Sequence, residues 1–152
     1  MKIDFTKAEY RDLIDMVYIA EWIMNAHQIK DDPRTKRYRK LEQKILSFAE
    51  NMGFSHLVEY APEHDKYFPT RMFEEASSAH GFIDDYDNDT FWEELINRLA
   101  ERDLIIQEGG LSSMLRLSVE ERLEKQFRLE EKYAVEFEEN GLENVRIVQD
   151  GD

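Results

Sequence analysis

Three sets of side chains in this chain could do chemistry. Asp85-x-Asp87-x-Asp89 places a carboxylate at every second position, the pattern by which a loop converges hard oxygen ligands on calcium or magnesium. His64-Asp65 sets an imidazole beside a carboxylate, a pair that can hold a divalent metal and support metal-assisted hydrolysis. Arg34, Lys36, Arg37, Arg39 and Lys40 crowd one short stretch, and such a density of cations offers a docking surface for an acidic partner or a phosphate-bearing ligand.

Each set also has a purely structural explanation. In the aspartate run, the sharp-turn glycine of a calcium loop is replaced by Thr90 and the bidentate glutamate by Ile96. A standard EF-hand is therefore excluded, leaving an irregular cation site or a solvated turn. Among the histidines there is no His-Glu-x-x-His, and none follows a glutamate by three residues, so the zincin and di-iron spacings are missing. With His27 upstream and Asp84 or Asp89 downstream, His64-Asp65 is similar in order to the HD-type phosphohydrolases. That resemblance implies a helix-borne pair following apolar residues, whereas Ala61-Pro62-Glu63 precedes it here. The metal candidates are His64, Asp65, Asp85, Asp87 and Asp89. No nucleophile elbow and no glycine-rich phosphate loop occurs, so no cofactor is expected.

The basic stretch breaks a local rule. It occupies the first half of a predicted helix, where the macrodipole disfavours exposed cations by about 0.3–1 kcal/mol each. Residues 30–44 carry seven bases against three acids, whereas residues 59–94 carry eleven acids against two bases. These bases either face acids of the same chain or await an acidic partner.

Residues 90–118 order a helix, a β-like run, a glycine turn and a second β-like run. Leu99-Ala100-Glu101-Arg102-Asp103-Leu104-Ile105, followed by Arg116-Leu117-Ser118, resembles the second half of a bacterial winged-helix regulator. The resemblance covers about thirty residues and implies DNA binding. The helix that would meet DNA carries Glu93, Glu94, Glu101 and Asp103 against Arg98 and Arg102, which opposes contact with polyphosphate.

The elements that would position these groups follow from apolar spacing. The chain has 152 residues, 41% hydrophobic and 12% aromatic, with a net charge of −14, and is expected to form one domain. It has no cysteine, which excludes disulfides and thiolate metal sites. Its first residues lack the apolar run of a signal peptide, and no run approaches the ~20 residues that span a bilayer. A cytoplasmic protein is expected, binding neither membrane nor nucleic acid.

Thr6-x-x-Glu9 is a capping box opening a helix over 7–28, with Tyr10, Leu13, Ile14 and Val17 at helical spacing. Asp32-Pro33 starts a second helix over 33–52, closed by Gly53, and the short break between them implies an antiparallel hairpin. Residues 55–69 read as a loop, 70–80 as a short helix stopped by Gly81, and 84–89 as a turn. Thr90-x-x-Glu93 should open a helix through about 103. Leu104–Gln107 and Met114–Leu117 read as paired strands, and Ser118-x-x-Glu121 opens a last helix, closed by Asn140-Gly141, before a strand expected at 145–148. The expectation is a mainly α protein, a bundle of four to five helices with one β-hairpin near 104–117, or alternatively an α+β protein with a winged-helix-like C-terminal half.

No catalytic constellation emerges. The expected function is a non-enzymatic interaction or regulatory protein, binding a protein partner through Arg34, Lys36, Arg37, Arg39 and Lys40, or itself through the apolar arc of the first helix, which is wider than one neighbouring helix would cover. A metal-dependent hydrolase is the alternative, and a DNA-binding protein the third reading.

Overall fold

A computed structural model describes residues 3–30 and 32–147. It is mainly helical, with six helices and one antiparallel β-hairpin among the described residues. The chain divides into two compact units, residues 1–86 and 87–152.

In the first unit, α1 (Lys7–Asn25) begins at the expected box: the Glu9 amide donates to Thr6 Oγ1 at 3.3 Å, and the Thr6 amide donates to the Glu9 carboxylate at 2.7 Å. α2 (Lys36–Leu46) starts later than its sequence suggests. The Asp32 carboxylate accepts the Arg34 amide at 2.8 Å and so closes a turn where a first helical turn was expected. α2 also ends early, at Ser47, and residues 47–53 continue as turns until Gly53 at φ +83°. There the Phe54 amide donates back to the Ala49 carbonyl at 2.7 Å, so Gly53 closes this run of turns and not the helix it was expected to end.

The hairpin lies in the stretch that reads as a loop. β1 (Val58–Ala61) pairs with β2 (Lys66–Pro69), Val58 opposite Pro69 and Ala61 opposite Lys66. Pro62 follows β1 and Pro69 ends β2, so the prolines border the ladder without interrupting it. Gln43 of α2 holds β2 at both backbone groups of Tyr67, accepting its amide at 2.7 Å and donating to its carbonyl at 3.0 Å. Thr70 caps α3 (Arg71–Ala76), which delivers Phe73, fully buried, into a core with Tyr10, Ile14, Leu46, Ala49, Leu57, Val58 and Ala79.

α4 (Ala79–Gln107) overturns three expectations at once. Gly81 does not stop a helix, residues 84–89 are not a turn, and Thr90 does not open a new helix: all lie inside α4. An aspartate costs a helix interior only about 0.7 kcal/mol or less, and Ile83 is buried to one side of the run while Ala100 and Leu104 are buried to the other.

In the second unit the expected hairpin at 104–117 is absent. Residues 104–107 finish α4, because Ala100 and Leu104 are buried one turn apart while Ile106 is 68% exposed. Strand alternation would have put Leu104 and Ile106 on one face. Gly109 and Gly110, both at positive φ, end the helix. A single turn, α5 (Leu111–Met114), follows, then α6 (Val119–Asn140), opened by the expected Ser118–Glu121 box and closed at Gly141. Without strands on either side of the glycines, the winged-helix resemblance has no structural counterpart. The unit's core is Ala100, Leu104, Met114 and Leu129, with Ile105 and Tyr133 packed against it. The tail at 145–147 forms no strand, and Val148 lies outside the described residues.

Candidate interaction surface

The five cations predicted as a binding set lie on and just before α2. At about 100° per residue, Lys36, Lys40, Lys44 and Arg37 fall on one continuous arc of that helix, and Leu41, Ile45 and Tyr38 fill the arc beside it. Lys36, Arg37, Lys40 and Lys44 are all exposed. Two of the predicted set have other business. Arg34 pairs with Asp32 at 2.6 Å, and its hydrogen bonds hold the Asp32 carboxyl below the usual carboxylate range. Arg39 reaches back to α1 and donates to Asn25 Oδ1 at 2.9 Å. Arg37 lies over the Tyr38 ring at 4.7 Å and donates to its hydroxyl at 2.7 Å. Among the described residues, Lys36, Arg37, Lys40 and Lys44 enter no ion pair.

These cations surround two hollows. One, of about 640 Å³, is lined by Pro33, Arg34, Lys36, Arg37 and Lys40. The other, of about 570 Å³, adds Arg39, Gln43, Asp65 and Lys66 to Lys36 and Lys40. Lys66 comes from the start of β2, and its place beside α2 follows from the Gln43–Tyr67 clamp one residue on. Sequence spacing gave no sign of Lys66, because residues 55–69 did not read as strands.

Beside the cations runs an apolar groove of about 100 Å³ between α1 and α2, lined by Val17, Ala20, Met24, Tyr38, Leu41 and Ile45 among others. Leu41 is 55% and Tyr38 42% exposed. Glu42 and Glu21 stand at its edge, and burial together with Glu21 pushes the Glu42 carboxyl above its ordinary value. The groove is apolar, with exposed cations on the neighbouring arc of α2.

The metal candidates are not gathered. His64 and Asp65 occupy the exposed turn between β1 and β2, where the His64 ring stands edge-on to Phe68 and Asp65 accepts the Tyr60 hydroxyl at 2.6 Å. Asp85, Asp87 and Asp89 are exposed on α4, and helical geometry sends Asp87 to the opposite side from Asp85 and Asp89. Among the described residues no group of three or more histidine, aspartate or glutamate side chains is placed to hold a metal ion. His27 lies beyond the end of α1 against Trp22, and His80 sits in the first turn of α4 against Tyr18. Among the described residues no helix is long and apolar enough to cross a membrane.

Comparison of the chain with known protein families, with curated proteins and with solved structures finds no match.

Proposed function

We propose that this protein is a non-enzymatic interaction protein whose first unit docks an acidic amphipathic helix of a protein partner along α2. The observation that carries this reading is the side-by-side placement of a cationic arc, Lys36, Arg37, Lys40 and Lys44, and an apolar arc, Tyr38, Leu41 and Ile45. A chain of net charge −14 that keeps exposed cations beside exposed apolar side chains has a surface suited to an occupant of opposite charge. An amphipathic helix satisfies both arcs, its apolar face in the groove and its acids against the cations. A nucleic acid would meet the same cations but also the negative field of the rest of the chain, which disfavours a long polyanion.

The test is fluorescence anisotropy with a labelled model peptide, helical, apolar on one face and glutamate-rich on the other. Binding is expected with a Kd on the order of 1–100 µM, weakening as salt rises through the Debye-screening range. Reversing Lys36, Arg37 and Lys40 to Glu should abolish it, and Leu41→Glu should weaken it at least tenfold. Absence of binding, or binding indifferent to these substitutions, would reject the reading.

A further inference from the structure

The second unit leaves a different surface open. α6 is apolar over a wider arc than its seam with α4 covers. The inward arc holds Leu129, Tyr133 and Phe137, with the Trp92 ring of α4 tilted against Phe137 at 5.5 Å between centroids and Lys125 tied to Glu108 at 2.5 Å. Beside that seam, Leu115, Val119, Leu123 and Phe127 follow one another four residues apart and are 59%, 65%, 60% and 65% exposed. Val119, Leu123 and Phe127 lie on one face of α6, and Leu115 is exposed at the end of α5, ahead of the Ser118 cap. From Val119 to Phe127 the line runs about 12 Å at the helical rise. The neighbours of this stripe on α6, Glu120, Glu121, Glu124 and Arg128, are charged and exposed, so the four apolar side chains interrupt a polar surface. Contiguous apolar exposure of this kind marks an interaction site.

Charge identifies the occupant. Residues 111–128 carry four bases against three acids, whereas residues 129–140 carry five acids against one base, in a chain of −14. The exposed stripe thus lies in a stretch of this acidic chain where local charge is nearly balanced. Two copies, each strongly negative overall, can bring these stretches together with little local repulsion. A polyanion finds too little positive charge to be held, and a basic partner would be drawn instead to residues 129–140. We infer that the stripe Leu115–Val119–Leu123–Phe127 takes the same stripe of a second copy, in an isologous contact that completes the helix packing of the second unit. Four partly exposed side chains supply on the order of half the ~800 Å² per partner of a standard stable interface, so the dimer should be reversible, with a Kd in the range of roughly 1–100 µM.

Sedimentation equilibrium of the full chain tests this across the micromolar range. The expected result is a monomer–dimer equilibrium whose Kd rises at least a hundredfold in Leu123→Glu, with the circular dichroism spectrum unchanged, and does not move in Met16→Glu, which alters an exposed apolar residue of α1. The absence of cysteine allows a second readout that leaves the stripe apolar. Under mild oxidation Leu123→Cys should cross-link two copies at least ten times faster than Lys132→Cys. A strict monomer at the highest concentration, a dimer equally sensitive to Met16→Glu, or equal cross-linking of the two cysteine variants would overturn the proposal. None of these readouts involves α2, so failure here leaves the docking of an acidic helix untouched, and the reverse also holds.

Discussion

Around Phe73 the first unit gathers buried side chains from α1, α2, β1, α3 and the start of α4, while the second unit gathers Ala100, Leu104, Met114 and Leu129 from α4, α5 and α6. The first core contains aromatic rings and large aliphatics from elements distant in sequence. The second is a seam between two long helices with one short turn across it. What each leaves at its surface differs accordingly. The first unit exposes cations beside a shallow apolar groove, and the second exposes a plain apolar stripe. A helical hairpin hides one arc of each helix, so any wider apolar arc must find cover elsewhere or remain wet.

The contrast can be broken most forcefully at the cores. Phe73→Ala removes a fully buried ring and should destabilise the chain by about 3–5 kcal/mol, read by urea denaturation. Leu123→Ala in dilute monomer should stay within roughly 0.5 kcal/mol of the parent. Similar losses from both would mean that the stripe on α6 is not exposed as described.

A second comparison separates three sequences of the same form. Thr6→Ala and Ser118→Ala each remove a cap and should cost about 1 kcal/mol. Thr90→Ala, inside α4, should cost nothing and gain a few tenths from helix propensity. Loss of stability at Thr90 comparable to that at Ser118 would place a helix start at 90 after all.

Gly81→Ala sharpens the same point. The space where its Cβ would project is empty within 4 Å and its backbone is helical, so the substitution should stabilise by about 0.5–1 kcal/mol. Destabilisation would show that residues 79–83 do not hold the helical conformation.

The smallest effect is electrostatic. The Glu42 carboxyl is raised above its ordinary value in the folded state because burial and Glu21 oppose its charge. A carboxyl raised in this way contributes stability that is present at low pH and lost as pH rises through its folded value. Glu42→Gln should therefore raise the melting temperature at neutral pH, with the gain vanishing below about pH 4. A gain that persists unchanged in acid would assign the effect to something other than ionisation.

The sequence signals that succeeded were those in which a cap and an apolar pattern agreed. Thr6 and Ser118 precede clean helical periods, and Gly141 closes the second of them by adopting positive φ. Where a local signal stood alone it misled. Thr90-x-x-Glu93 has the same form as the two working boxes, yet α4 is already eleven residues along when it reaches Thr90. Leu104-Ile105-Ile106 has strand-favouring residues, but packing at Ala100 and Leu104 overrides that preference. The hairpin at 58–69 was hidden by Pro62 and Pro69, and with it went Lys66, the one cation of the second hollow that lies outside the basic stretch. The cationic set on α2 was visible from composition alone. Its division into Arg34 and Arg39, which reach Asp32 and Asn25, Arg37, which covers Tyr38, and Lys36 and Lys40, which extend from the exposed arc, depends on where Asp32 and Asn25 come to rest.

The most direct test of the docking surface is to titrate isotopically labelled protein with the glutamate-rich amphipathic peptide and follow the backbone amides by NMR. Shifts should concentrate in residues 36–45 of α2 and 17–24 of α1, and should disappear when Lys36, Arg37 and Lys40 are reversed to Glu. Shifts centred elsewhere, or an unchanged pattern in the reversed variant, would contradict the claim that α2 receives an acidic helix.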